Sequence, residues 1–165
     1  MSKNVGLLAP AVTPWKSTLA PETGANNPGL RLYSYDLESG ELLDYQQFWL
    51  DLVASNENGI AEWQLEYSFK NYFEVPDLSK NSFDTIFQRM QDDPNFFEKY
   101  YKINSVSKSD DFECDSDCRK YQLCAIEEQK YDKFEECILS SGASRLHTIS
   151  SLILLLILLP YFAQE

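Results

Sequence analysis

Apolar residues form three early runs that polar, turn-forming stretches separate. The runs are Val5–Val12, Leu30–Tyr35 and Leu42 to about Leu52, and in the last two aromatic or aliphatic side chains recur at alternate positions. A period of two predicts half-buried β-strands. Between the second and third runs, DLESGE (Asp36–Glu41) predicts a hairpin turn, because Gly40 can adopt a positive φ.

A stretch rich in proline and glycine separates the first two runs. It reads TPWKSTLAPETGANNPG and covers Thr13–Gly29. Strands avoid this composition, so the stretch predicts a long exposed loop. Loops of this length in compact domains are often functional, which makes this one a candidate border of a binding cleft.

After Gly59 the hydrophobic period changes to about 3.6, which predicts helices for the rest of the folded chain. Trp63, Tyr67 and the aromatic run Phe69–Tyr72 predict a first helix, which Pro76 ends because proline lacks the backbone donor that a helix needs. We interpret the aromatic side chains of this and the following helices as core residues.

Capping residues and apolar stripes predict four more helices. Asp93 followed by Pro94 is a strong helix start, because the carboxylate accepts bonds from unpaired amides and proline suits the first turn. Two further helices are predicted near Asp117–Glu128 and Lys130–Leu139. The helix before Asp93 has Ser79 or Asn81 as its cap and the stripe Phe83, Ile86, Phe87 and Met90.

The carboxyl-terminal end is the most apolar part of the chain. Leu152–Leu159 reads LILLLILL, and the apolar block is too short for a membrane span, which needs about 20 residues. The small residues Ser140–Ala143 and the mostly polar spacer Ser144–Ser151 precede it. This order is typical of a glycosylphosphatidylinositol attachment signal, with Ser141 as the candidate attachment residue. The alternative is a helix that docks on a core or membrane surface, but the leucine run offers no polar face.

Composition limits the fold and the partners. With 165 residues the chain is long enough for one modest domain, and an aromatic fraction of 14% is too high for a disordered acidic chain. The net charge of −12 repels polyanions, so nucleic acid is excluded as a partner.

The four cysteines allow either disulfides or a zinc site. Cys114, Cys118, Cys124 and Cys137 lack the paired C-x-x-C spacing that is common in four-cysteine zinc sites. If the lipid signal is processed, the protein faces an extracellular or secretory compartment, where thiols pair. We therefore favour two disulfides; the spacing leaves three pairings open, of which pairing between neighbours needs the least rearrangement.

No catalytic, cofactor-binding or metal-binding residue can be assigned from the sequence. The one histidine, His147, lies in the presumed spacer, and no nucleophile elbow, phosphate-binding glycine loop or H-E-x-x-H helix is present. The acidic pairs Asp92–Asp93 and Asp110–Asp111, and the group Asp115–Asp117, could bind a cation weakly. Capping and solvated loop charge explain them better.

Several motifs in order resemble one family. They are NNPGLRLYSYD (Asn26–Asp36), WQLEYSFKNYFEVPDLS (Trp63–Ser79), RMQDDPNFFEKYYKINSVS (Arg89–Ser107) and the ending C-x3-C-x5-C-x12-C. Over about Val5–Cys137 the chain resembles the carboxyl-terminal part of acid sphingomyelinase-like phosphodiesterases, which are calcineurin-like metallophosphoesterases.

The resemblance implies an α+β fold in three parts. Residues 1–57 would supply the last antiparallel strands of the metallophosphoesterase sandwich, residues 58–140 a disulfide-stapled bundle of about four to five helices, and residues 141–165 the lipid-anchor signal. The resemblance also favours pairing Cys114 with Cys118 and Cys124 with Cys137.

The resemblance implies a secreted or surface-anchored hydrolase whose two zinc ions activate water against a phosphodiester such as sphingomyelin or a nucleotide. The zinc-ligand motifs lie upstream of NNPGLRLY in the family, and none is present here. We therefore expect a truncated or partial gene product that binds no zinc, is inactive alone and pairs with the upstream catalytic half of the same enzyme. A non-catalytic surface interaction module is the second hypothesis, and a cytosolic four-cysteine zinc module is the third.

Overall fold

The computed structural model describes residues 5–14, 26–108 and 114–140. These residues form an α+β fold, as predicted, in which an antiparallel sheet is followed mainly by helices. The strands are β1 (Gly29–Tyr35), β2 (Leu42–Leu50) and β3 (Trp63–Ser68). The helices are α1 (Leu52–Asn58), α2 (Phe69–Phe73), α3 (Lys80–Asp92), α4 (Pro94–Asn104), α5 (Ser116–Glu127) and α6 (131–140).

The chain divides into two compact units. The larger one, Lys3–Asp115, contains the sheet and helices α1 to α4. The smaller one contains α5 and α6. The division after residue 57 that follows from the family resemblance stays a prediction.

The hairpin formed by β1 and β2 is confirmed. The two strands pair antiparallel from Gly29 opposite Trp49 to Tyr35 opposite Leu42. The Asp36 amide donates to the Glu41 carbonyl at 2.8 Å, and Gly40 has a φ of 73°. This turn needs a residue that tolerates a positive φ, which is why the glycine marked it in the sequence.

The predicted first strand, Val5–Val12, is wrong. Residues 5–14 contain no strand. Their backbone makes one bond to the sheet, in which the Gly29 amide donates to the Ala11 carbonyl at 3.0 Å. Pro10 cannot donate to a ladder, so an apolar run that includes it is a poor strand. Of the predicted loop that follows, residues 15–25 lie outside the described residues, and its role at a cleft stays a prediction.

The predicted third strand is two residues too long, and the helix after it was not predicted. β2 ends at Leu50, and α1 begins at Leu52. The Asp51 carboxylate accepts a bond from the Ala54 amide at 3.0 Å, and Gly59 ends the helix with a φ of 68°. Both are ordinary helix signals, but α1 has no buried residue, so no apolar stripe revealed it.

The predicted helix over Trp63–Tyr72 is also wrong in its first half. Residues Trp63–Ser68 form β3, which pairs antiparallel with β2, and only Phe69–Phe73 is helical. Trp63 and Tyr67 satisfy a helical spacing, but Trp63, Leu65 and Tyr67 equally satisfy a strand spacing. Pairing with β2 decides between the two readings, and that pairing is invisible in the local sequence.

The helices α3 and α4 begin directly after the capping residues that the sequence predicted. The Ser79 side chain caps α3, and the Asp93 side chain accepts from the Asn95 amide at 2.9 Å with Pro94 in the first turn. An aromatic core forms where the apolar stripes of α3 and α4 pack with α2 and with the helix-facing side of the sheet. Its most buried apolar members are Tyr45, Tyr67, Phe69, Phe73, Ile86, Met90, Phe96, Phe97 and Ile103.

Candidate docking surface and buried polar cluster

The two faces of the sheet differ sharply in how they are covered. Tyr45 and Gln47 of β2 and Tyr67 of β3 are buried on one face, which packs on α2 and the end of α4. Because side chains alternate along a strand, their neighbours lie on the other face. That other face is the open sheet face, which we define by Leu30, Leu32, Phe48, Leu50, Trp63 and Leu65.

The open sheet face is mostly apolar and partly exposed; its central strand also contributes the polar Gln46, which lies opposite Leu32 and Ser68. Leu30, Phe48 and Leu65 lie opposite one another across the three strands, and Leu50 lies opposite Trp63. The exposed fraction is 56% for Leu32, 53% for Leu65 and 40% for Trp63. Single exposed apolar residues are normal on protein surfaces, whereas a contiguous apolar face indicates an interaction site.

Among the described residues, both outer strands of the sheet lack a strand partner. The strand order is β1-β2-β3, so β1 and β3 are edges. On the outer side of β1, the Gly29 amide bonds to the segment before it. Unpaired edges next to an apolar face favour association with further strands.

The helix-facing side of the sheet contains a polar cluster formed by Arg31, Gln47, Glu66, Tyr67 and Ser107. Gln47 and Tyr67 are buried, and the other three residues are half-buried. The Gln47 amide oxygen accepts from Arg31 Nε at 2.7 Å and from the Tyr67 hydroxyl at 3.3 Å. Its Nε2 donates to Glu66 Oε2 at 2.7 Å, and Glu66 Oε1 accepts from Ser107 Oγ at 2.6 Å. The cluster therefore links all three strands to the turn after α4.

Burial governs the ionisation of this cluster. It raises the pKa of the Glu66 carboxyl, although hydrogen bonds from Ser107 and Gln47 and the charge of Arg31 favour the ionised form. It also raises the pKa of Tyr45 and Tyr67. The Arg31 guanidinium stacks over the Tyr45 ring with its carbon 4.5 Å from the ring centre. None of these residues was identified from the sequence; Gln47, a polar residue inside an alternating strand, was the one available signal.

The cysteines are disulfide-bonded rather than metal-binding. Cys124 on α5 and Cys137 on α6 form a disulfide, with Cα atoms 5.8 Å apart, as the family resemblance implied. Cys114 and Cys118 are also disulfide-bonded, and the chain has no free cysteine. A four-cysteine zinc module is therefore wrong for this protein, because zinc needs thiolates.

One of the acidic pairs found in the sequence has structural partners, and Asp117 lies in the first turn of α5. Asp93 caps α4, and Asp92 accepts from the Gln88 side chain. Asp110 and Asp111 lie outside the described residues, as do Ser141, His147 and the apolar tail. The lipid-anchor signal therefore stays a prediction.

In the part of the chain that the structure describes, no group of three or more His, Cys, Asp or Glu residues is placed to hold a metal ion. The described residues therefore do not fit a two-zinc centre. Within the same described ranges, no helix has both the length and the apolar character to cross a membrane.

Residues 2–144 match the family described as "Acid sphingomyelin phosphodiesterase C-terminal region". The chain belongs to this family. The match covers the whole larger unit and the helices α5 and α6 of the smaller one, and it confirms the resemblance drawn from the sequence motifs.

Individual relatives agree with this assignment. Mouse "Acid sphingomyelinase-like phosphodiesterase 3b" is 35% identical over 95% of this chain and 34% of its own length. "Sphingomyelinase phosphodiesterase C" of Dictyostelium discoideum is 39% identical over 79% of this chain and 29% of its own length. Human "Cyclic GMP-AMP phosphodiesterase SMPDL3A" is 36% identical over 79% of this chain and 29% of its own length. The chain thus spans about a third of the length of the curated relatives that it matches.

Proposed function

We propose that this chain is the carboxyl-terminal region of an acid sphingomyelinase-like phosphodiesterase and that it has no catalytic activity alone. Its partner is a catalytic region of the same enzyme, which supplies two zinc ions and all their ligands. The substrate class is a phosphodiester, such as sphingomyelin or a nucleotide. Membership of the family and the relatives named as phosphodiesterases support this proposal.

The observation that carries the proposal is the open sheet face. Leu32 on β1 and both Trp63 and Leu65 on β3 are exposed on the same face of a sheet whose two outer strands lack a strand partner in the described ranges. About two-thirds of each relative lies outside the aligned segment, so a region large enough to cover this face exists in the family. Burial of this face would gain roughly 25 cal/mol for each Å² of apolar surface removed from water.

A secreted or surface location completes the proposal. Disulfides persist in oxidising compartments, and all four cysteines are bonded here. A lipid anchor at Ser141, followed by removal of the apolar tail, would hold the enzyme at the outer surface of a membrane.

Complementation between two chains tests this proposal. The present chain is produced alone and together with the part of mouse acid sphingomyelinase-like phosphodiesterase 3b that precedes the aligned segment. Hydrolysis of bis(4-nitrophenyl) phosphate is measured with added zinc. We expect no turnover by the present chain alone, and a soluble, active complex when the two are produced together.

Matched variants test the surface. Leu65→Glu places a charge on the open sheet face and should abolish the complex. Gln64→Glu places the same charge on the adjacent exposed residue, whose side chain is on the other side of the strand, and should leave the complex intact. Zinc-dependent turnover by the chain alone would overturn the proposal. A complex that tolerates Leu65→Glu would show that a different surface is used. A chain that is folded but never binds the catalytic region would favour the non-catalytic surface module.

A further inference from the structure

The connection between β2 and β3 contains an asparagine followed by a glycine, Asn58–Gly59, at the end of α1. This pair of residues occurs nowhere else in the sequence. An asparagine before glycine is especially prone to deamidation, because glycine has no Cβ atom to obstruct the attack of its nitrogen on the asparagine side chain. The pair is therefore a candidate site of spontaneous covalent modification.

The surroundings of this pair leave room for the reaction. Both Asn58 and Gly59 are exposed. Apart from the chain neighbours of Gly59, no described atom lies within 4 Å of the position that a Cβ atom would take there. Water can therefore reach the side-chain amide, and no packed neighbour holds it in place.

The intact helix nevertheless protects the pair. Gly59 ends α1 with a φ of 68°, and its amide donates to the Ser55 carbonyl at 2.9 Å. The same nitrogen must lose its proton and attack Cγ of Asn58 for deamidation to occur. It cannot do so while that proton is shared with Ser55 and Asn58 keeps its helical backbone. Opening of the last turn of α1 is thus a condition for the reaction.

The helix α1 is poorly secured at this end. It has seven residues, none of them buried. Its side-chain anchors lie at the other end, where the Asp51 carboxylate accepts from the Ala54 amide at 3.0 Å and Asn27 Oδ1 accepts from the Leu52 amide at 3.2 Å. Helices shorter than about 12–15 residues are marginal in water without tertiary packing. The last turn therefore opens locally, without unfolding of the sheet.

We propose that Asn58 is a site of spontaneous deamidation, which proceeds when the last turn of α1 opens and whose products prevent that turn from closing again. The Gly59 nitrogen loses its proton to water and forms a bond to Cγ of Asn58, and the bond from Cγ to Nδ2 breaks to release ammonia. Water then opens the resulting succinimide at either carbonyl, which gives aspartate or isoaspartate. The reaction consumes water and releases ammonia, and it is independent of the proposed function.

The products change the end of the helix permanently. Either one places a negative charge at the carboxyl-terminal end of α1, next to Glu57, where the helix dipole disfavours it. Isoaspartate also adds a methylene group to the backbone, so the Gly59 amide no longer meets the Ser55 carbonyl. The modified connection leads into Trp63, which lies opposite Leu50 at the end of the open sheet face.

Ageing of the full chain at neutral pH and body temperature tests the site, with a synthetic peptide of residues 54–62 as the unstructured reference. Mass spectrometry of proteolytic fragments should show conversion of Asn58 to aspartate and isoaspartate. Asn56, which is exposed on the same helix but precedes Glu57, should stay intact. Conversion should be slower than in the peptide by the protection factor of the Gly59 amide against hydrogen exchange, because both reactions need the same opening. No conversion within the time that this factor predicts would overturn the proposal.

Three variants test the control by α1. Asp51→Ala removes the cap and should accelerate deamidation about fivefold, the change in the opening equilibrium that corresponds to the usual loss of an N-cap. Glu62→Ala removes an exposed carboxylate outside the helix and should leave the rate unchanged. Gly59→Ala weakens the same turn but obstructs the attack, so it should nearly abolish the reaction. An unchanged rate in Asp51→Ala, or an undiminished rate in Gly59→Ala, would overturn the proposal.

Discussion

Gln47 is fully buried between the sheet and the end of α4, and both ends of its amide make hydrogen bonds. It joins Arg31 and Glu66, two half-buried charged groups. A polar residue at this position is favoured because each partner would otherwise lose a short hydrogen bond in a partly buried site. A single residue, Gln47, therefore determines whether the polar groups beside the core are hydrogen-bonded.

The change Gln47→Leu should destabilise the folded chain by about 2–4 kcal/mol, because it leaves Arg31 Nε and Glu66 Oε2 without their short bonds, and each such loss costs about 1–3 kcal/mol. Urea unfolding measures the change. Gln46→Ala is the control, since the adjacent Gln46 is exposed on the opposite face and should change stability little. Equal effects of the two substitutions would show that the hydrogen bonds of Gln47 do not stabilise the folded chain.

Gly29 is required at the start of β1 for close packing. A Cβ atom there would lie 2.7 Å from Cγ of Pro10 and 3.2 Å from Cγ1 of Val106. Gly29→Ala should therefore cost about 1–3 kcal/mol through overpacking. Gly6→Ala, where nothing lies within 4 Å of the new atom, should be tolerated. Thermal unfolding of both variants compares them, and a neutral Gly29→Ala would show that the segment before β1 moves away freely.

At the scale of elements, Asp93 separates two helices and serves both. Its amide closes α3 by donating to the Arg89 carbonyl at 2.9 Å, and its carboxylate caps α4. The helices α3 and α4 are defined by such local signals, whereas β3 depends on its pairing with β2. Elements with strong caps should therefore respond to single cap substitutions.

Asp93→Ala should lower the free energy of unfolding by about 1 kcal/mol, the usual cost of losing an N-cap. Asp92→Ala removes the same charge from the adjacent residue, whose carboxylate accepts from the exposed Gln88 side chain, and should cost clearly less. The urea concentrations at the unfolding midpoints of the two variants are compared. If Asp92→Ala were the more damaging change, the cap would not be what defines α4.

The pair α5 and α6 depends on its disulfide. On α5 the one buried residue is Cys124, so apolar burial contributes little there. Replacing both Cys124 and Cys137 by serine should cost roughly 3 kcal/mol in the smaller unit, as expected for a loop of this size. Trypsin should then cleave faster at Lys120, Lys130 and Lys133. Unchanged cleavage would show that packing alone holds the two helices.

At the scale of the whole molecule, a folded larger unit has one sheet face buried and one open. The exposed Leu32 and Leu65 make self-association the expected behaviour of the chain on its own, despite its net charge of −12. A catalytic region that covers this face would prevent the association. The same surface would account for both the proposed partnership and the expected self-association of the isolated chain.

The double change Leu32→Glu and Leu65→Glu should convert the chain to a monomer at concentrations where the unmodified chain associates. Analytical ultracentrifugation measures the proportions of monomer and associated forms. Gln64→Glu, on the other side of β3, should leave association unchanged. Persistence of association in the double variant would mean that another surface causes it.

Sequence reasoning was successful where the structural signal is local. The sequence predicted the hairpin at Gly40, the caps Ser79 and Asp93 and the cysteine framework. Turns and caps are predictable because they depend on residues within a few positions of one another. The ordered motifs were enough to identify the family.

The tertiary structure decided what depends on distant pairing. The segment Trp63–Ser68 is a strand because β2 lies beside it, and the bulge in that pairing is what turns Glu66 towards Ser107. Hydrogen bonds between strands, and the burial that raises the pKa of a carboxyl, come from residues separated by tens of positions. By itself, therefore, the sequence determined the family, the fold class and the local caps. Only the folded chain decided which face stays open and which polar groups meet inside.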